Sequence, residues 1–131
     1  MQNVLTVCKA LEKHLNHYPK DGQAQHLLGN AYSTKGESKK ALKALKLAVT
    51  LAPFQAEYHY DLANIYQISG NTECACAHYQ AATSLNPRFA KAYVKLGIIH
   101  TQRGEHVPAK RNLVCADKIL DRNSLTKTRA V

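Results

Sequence analysis

Apolar residues recur along the chain in short stripes at helical spacing, and the stripes themselves repeat. Leu28, Leu62 and Leu96 lie 34 residues apart, as do Gly36, Gly70 and Gly104, then Ala41, Ala75 and Ala109, then Ala48, Ala82 and Ala116. Pro19, Pro53 and Pro87 keep the same interval. A fixed period of this length is the mark of stacked helical hairpins, because one hairpin cannot bury its apolar stripe without a neighbour. The predicted fold class is all-α.

Taken in order, Val4, Val7, Cys8, Leu11 and Leu15 form a stripe over residues 2 to 17, closed by Pro19. Counting back from the next copy makes this the second half of a hairpin, a half-repeat over 1–21. Its face around Val7 and Leu11 is expected to lack a cover. Helices over 22–35 and 38–51 follow, joined at Lys35-Gly36-Glu37, where glycine tolerates the positive φ of a reversal. Gly29 should let the paired helix approach closely. Ala41, Leu42, Leu45, Ala48 and Val49 make the buried stripe of the second helix, with Lys39, Lys40, Lys43 and Lys46 opposite.

Helices over 56–69 and 72–85 repeat the plan with Leu62, Ala63, Ile65, Tyr66, Ala75, Cys76, Tyr79 and Ala82. A third pair over 90–103 and 106–120 carries Leu96, Gly97, His100, Ala109, Leu113, Ala116 and Ile119. Asp121 stands at the proline position, which points to the end of the array. The domain reading is three repeats over 22–123 (22–55, 56–89 and 90–123) and a basic tail over 124–131 expected to be disordered.

At 131 residues and 45% apolar content the chain is folded and too small for a large multi-layer enzyme. No apolar run approaches the roughly 20 residues that span a bilayer. The N-terminus places Glu12 and Lys13 where a secretory signal would be greasy. Four scattered cysteines do not make a disulfide scaffold. These features point to reduced thiols and a cytoplasmic setting, although a segment beginning inside a longer protein would look the same. The formal charge of +9 is uneven: the first and third repeats are basic and the middle one is acidic. Basic charge attracts acidic proteins, anionic lipid or nucleic acid without choosing among them.

The landmarks resemble the tetratricopeptide repeat. Its pattern of Leu-Gly or Leu-Ala, Tyr, Gly, two Ala and Pro is met by Leu28-Gly29, Tyr32, Gly36, Ala41, Ala48 and Pro53, and again by Leu62-Ala63, Tyr66, Gly70, Ala75, Ala82 and Pro87. The third copy has Leu96-Gly97, Gly104, Ala109 and Ala116, and departs with His100 for Tyr and Asp121 for Pro. The resemblance implies a right-handed superhelical solenoid of antiparallel helix pairs, whose first helices line a concave groove that binds an extended peptide or helix of a partner. Fold alone does not establish function, so the groove residues have to carry it.

On that geometry, helical spacing turns Gln23, His26, Leu27, Asn30 and Thr34 inward from the first copy, Glu57, Tyr60, Asp61, Asn64 and Ile68 from the second, and Lys91, Val94, Lys95, Ile98 and Gln102 from the third. The expected peptide-binding set is Gln23, His26, Asn30, Tyr60, Asp61, Asn64, Lys91, Lys95 and Ile98. Asn30 and Asn64 are one repeat apart, and their amides can donate to and accept from a peptide backbone; solvated amides that merely suit the repeat are the plainer alternative. His26, Asn30, Asp61, Lys91 and Lys95 fall where some family members carry the Lys, Asn, Asn, Lys and Arg of a clamp for a chaperone's terminal carboxylate. Asp61 would repel such a carboxylate and argues against that ligand. Pairing of Asp61 and Glu57 with Lys91 and Lys95 across the groove is a further expectation, and reception of a basic ligand residue is its rival.

Cys74, Cys76 and His78 invite a metal reading, but Cys76 points away from the other two and occupies a packing position, so no metal and no cofactor is expected. No nucleophile triad, phosphate loop or paired-carboxylate cleft is recognisable, and an enzyme is not expected. The lysines on the convex back lack interleaved aromatics, which makes nucleic acid or membrane binding the weaker reading. The expected function is a protein-interaction adaptor. A self-associating assembly protein, joined through uncovered end helices into a homo-oligomer, is the alternative.

Overall fold

The computed structural model describes residues 2–129, with side chains over 3–123. Among them are seven helices and no strand: α1 Gln2–His17, α2 Gly22–Thr34, α3 Ser38–Leu51, α4 Ala56–Ile68, α5 Thr72–Leu85, α6 Ala90–Gln102 and α7 His106–Arg129. The expected tail over 124–131 falls outside the residues described with side chains, and α7 itself runs to Arg129. Consecutive helices pack on each other throughout, as α2 on α3, α4 on α5 and α6 on α7 within pairs, and α1 on α2, α3 on α4 and α5 on α6 between them.

Sequence sets the turns within pairs. Gly36, Gly70 and Gly104 have φ of 80°, 85° and 74°. Each lets two bonds close the preceding helix. The glycine N–H reaches the carbonyl three residues back, and the next N–H reaches five back: Glu37 to Tyr32 at 2.9 Å, Asn71 to Tyr66 at 2.8 Å and Glu105 to His100 at 2.8 Å. This double closure satisfies carbonyls that a helix end otherwise leaves open. Asp21 and Asn71 cap the starts of α2 and α5 by accepting from Ala24 N–H and Cys74 N–H, each at 3.1 Å.

The core is serial. Cys8, Leu15, Ala24 and Leu28 join α1 to α2; Ala41, Leu45, Leu62 and Ile65 join α3 to α4; Ala63, Ala75, Cys76, Tyr79, Leu96 and Ile99 join the helices that follow. His100 is buried among them at 9% exposure. Two expectations shift. Leu11 packs against the α1–α2 cluster, so the open apolar face of α1 is Leu5 and Val7 instead. Leu113 is 41% exposed, because α4 and α6 cover its counterparts Leu45 and Tyr79 and no described helix stands at the corresponding place beside α7. No helix among the described residues is long and apolar enough to cross a membrane.

Candidate functional site

Helices α2 and α4, the turn before α6 with the first two residues of that helix, and Leu120 of α7 enclose a hollow of about 570 Å³, lined by His26, Asn30, Glu57, Tyr60, Asp61, Asn86, Arg88, Phe89, Ala90, Lys91 and Leu120. Five of the expected groove residues therefore meet there: His26, Asn30, Tyr60, Asp61 and Lys91. Gln23, Asn64, Lys95 and Ile98 do not line it. Gln23 is exposed on α2, and Ile98 is 41% exposed on α6.

The polar centre is a bridge between two repeats. His26 Nε2 donates to Asp61 Oδ2 at 2.5 Å, and Asn30 Nδ2 donates to the same oxygen at 3.1 Å. The side chains of His26 and Asp61 are only 12% and 25% exposed, and the imidazole stacks on Tyr58 with ring centres 4.2 Å apart. A partly buried carboxylate needs such partners to offset lost hydration. The expected pairing of Asp61 and Glu57 with Lys91 and Lys95 does not form: among the described residues neither lysine has an ion pair, and Asp61 turns to His26 and Asn30. Asp61 shares the hollow with Lys91, but its Oδ2 is taken by two donors of the preceding repeat, His26 and Asn30.

Asn64 lies one turn beyond Asp61 and is engaged from behind. Its Oδ1 accepts from the Tyr79 hydroxyl, which also reaches Gln67 Oε1 at 3.0 Å. Tyr79 is wholly buried, and burial, followed by Tyr60 and Asp61, pushes its phenol up, so it stays a neutral donor. Asn64 is thus tied to packing through its carbonyl, whereas Asn30 is tied to the floor of the hollow.

An apolar shelf completes the site. The Tyr60 ring lies 5.0 Å from Phe89 and 5.6 Å from Tyr79, with Leu120 of α7 nearby and 52% exposed. Arg88 beside it reaches Asn123 Oδ1 at 3.4 Å, and no ion pair of Arg88 or Lys91 forms among the described residues. Arg88, Phe89 and Leu120 are absent from the sequence expectation, which drew the groove from first helices alone. The signal available was the inter-repeat turn: Phe89 stands where the previous copy has Gln55, and Arg88 where it has Phe54.

On the far side of α4, His59 Nε2–H donates to the Pro53 carbonyl at 2.9 Å, leaving its Nδ1 to accept from His78 Nδ1–H at 3.0 Å. Burial and then His59 hold the His78 pKa below its usual value of 6.5. Cys74 is half-buried and Cys76 buried, and burial raises the Cys76 thiol pKa. Among the described residues no three His, Cys, Asp or Glu converge to hold a metal ion.

Residues 22–55 and 56–89 each match the tetratricopeptide repeat. The heat-shock protein cognate co-chaperone sgt12 of Aspergillus fumigatus is 30% identical over 82 residues, which is 63% of this chain and 24% of that protein. The TPR repeat-containing thioredoxin TTL4 of Arabidopsis thaliana is 26% identical over 107 residues, 82% of this chain and 16% of that one. The chain thus spans a quarter or less of the length of these relatives. Among solved structures, MamA superposes with a TM-score of 0.86 at 24% identity, covering 89% of this chain and 68% of MamA, a likeness of fold.

Proposed function

The chain belongs to the tetratricopeptide repeat family, and from that premise we propose that it is a protein-interaction scaffold holding an extended segment of a partner in the hollow between α2, α4 and α6. One observation carries this reading. Asp61 is occupied by His26 and Asn30, while Arg88 and Lys91 stand without ion pairs beside the Tyr60–Phe89 shelf. The charges left over beside the apolar shelf are Arg88 and Lys91 against one carboxylate, Glu57, which lines the same hollow and has no ion pair among the described residues.

The segment that fits presents an acidic group to Arg88 and Lys91 and an apolar side chain to Tyr60, Phe89 and Leu120. The repulsion expected from Asp61 is weakened, because two donors already share its Oδ2. A relative's description as a co-chaperone is in keeping with a peptide-binding role and names no partner for this chain.

The test uses peptides selected from a random display library on the immobilised chain, then titrated by fluorescence anisotropy. Arg88→Glu with Lys91→Glu, both at exposed positions, should weaken groove-selected peptides at least tenfold. If every selected peptide binds that double variant as tightly as the parent, the groove reading fails.

A further inference from the structure

The back of α7 departs from the earlier copies at two exposed positions. Val107 and Val114 are 71% and 40% exposed, two turns apart on one face with the half-buried Cys115 beside them. Lys110 flanks this line on one side, and Arg111 and Lys118 on the other; the six residues line one shallow depression. The equivalent positions of Val107 and Val114 are Lys39 and Lys46 in α3 and Glu73 and Gln80 in α5, all polar and all exposed.

Those earlier positions stay exposed even though α4 and α6 stack on α3 and α5. Continuing the array by another pair would therefore leave Val107 and Val114 open. The position that does face a following repeat has gone the opposite way: Leu42 and Cys76, packed against the next pair, are replaced by the exposed Lys110. The matching depression on α3, lined by Lys39, Leu42, Lys43, Lys46, Leu47 and Thr50, is also apolar and cationic, but polar side chains hold the two positions that valines take in α7, and Leu42 there packs on the next pair.

We propose that the outer face of α7 docks an acidic amphipathic helix of another protein, its apolar stripe on Val107 and Val114 and its carboxylates on Lys110, Arg111 and Lys118. Seven residues of helix rise about 10 Å, the interval at which a partner helix returns the same face. Charge complementarity selects the occupant: the depression is lined by three cations and no carboxylate, none of the three has an ion pair among the described residues, and the exposed Asp117 and Asp121 of the same helix lie outside its lining. A second copy is a poor fit. The chain carries +9, and the open apolar face of its α1 sits on a helix with Lys9 and Lys13, whose one carboxylate, Glu12, already accepts from Tyr32 at 2.5 Å. This surface is separate from the groove, so either can fail alone.

The experiment is selection of a random helical-peptide display library on the whole chain, with counter-selection on Val107→Glu with Val114→Glu. The enriched peptides should carry Asp or Glu interleaved with apolar residues at helical spacing. Their affinity should fall at least tenfold in Val114→Glu and in Lys110→Glu with Arg111→Glu, fall with added salt, and be unchanged in Lys91→Glu. The charge-reversal variant keeps the test valid should the valine variants lose helical circular dichroism. Failure to enrich against the counter-selection, or enriched peptides whose binding survives charge reversal, overturns the proposal. A dimer in sedimentation that Val114→Glu dissolves also overturns it, by making a second copy the occupant.

Discussion

Gly29 and Gly97 occupy the same repeat position, and adding one methyl group to each should have different consequences. A Cβ on Gly29 would lie 2.6 Å from Leu45 Cγ and 2.8 Å from its Cδ2; one on Gly97 would lie 2.5 Å from Leu113 Cδ2 and 2.6 Å from its Cγ. The clashes are nearly equal, but the neighbours are not. Leu45 is 0% exposed and packed with Ala41, Leu62 and Ile65, whereas Leu113 is 41% exposed and can swing aside. Overpacking a fixed core costs about 1–3 kcal/mol. Replacing a mid-helix glycine by alanine returns about 1 kcal/mol. Gly29→Ala should thus destabilise by about 1 kcal/mol net, and Gly97→Ala should be neutral or stabilising by a few tenths. In urea, with a slope of about 1–3 kcal/mol per molar, the Gly29→Ala midpoint should fall by roughly 0.3–1 M at unchanged slope. A double-mutant cycle with Leu45→Ala should show the penalty vanishing when Leu45 is cut back. A Gly29→Ala midpoint at or above the parent's, or a Gly97→Ala drop as large as that of Gly29→Ala, refutes the reasoning.

Two further outcomes follow from the buried Tyr79 and the half-buried His78. Tyr79→Phe removes the donor shared by Asn64 and Gln67 and should cost about 1 kcal/mol in urea unfolding, with an unchanged midpoint counting against the bridge. His78 is held neutral, so between its lowered folded pKa and 6.5 the unfolded chain binds more protons; stability should be full above that window and decline as pH falls through it. His78→Gln should flatten that decline in thermal midpoints measured between pH 7.5 and 5, and an identical slope in parent and variant would remove His78 as its source.

The groove was legible only in part. Spacing placed His26, Asn30, Tyr60, Asp61 and Lys91 on facing helices, because the side-chain period of a helix is fixed by its geometry. It could not say that Asp61 bonds His26 of the preceding repeat and not Lys91 or Lys95 of the next. Charge alone favoured the lysines, and the hydrogen-bonding partner is set by how far each pair rotates on the last.

What the sequence determined by itself was the serial architecture. The interval of Gly36, Gly70 and Gly104 fixes where the chain reverses, since only glycine takes positive φ there without strain, and the alanine stripes fix which faces meet. The tertiary structure alone decided which side chains from distant repeats share a space. Phe89 and Leu120 join Tyr60, Leu113 is left half-open, and Val107 and Val114 stand on an uncovered back. Local spacing fixes direction around one helix axis, whereas contacts between repeats depend on the offset and rotation between axes, which many packed side chains set together.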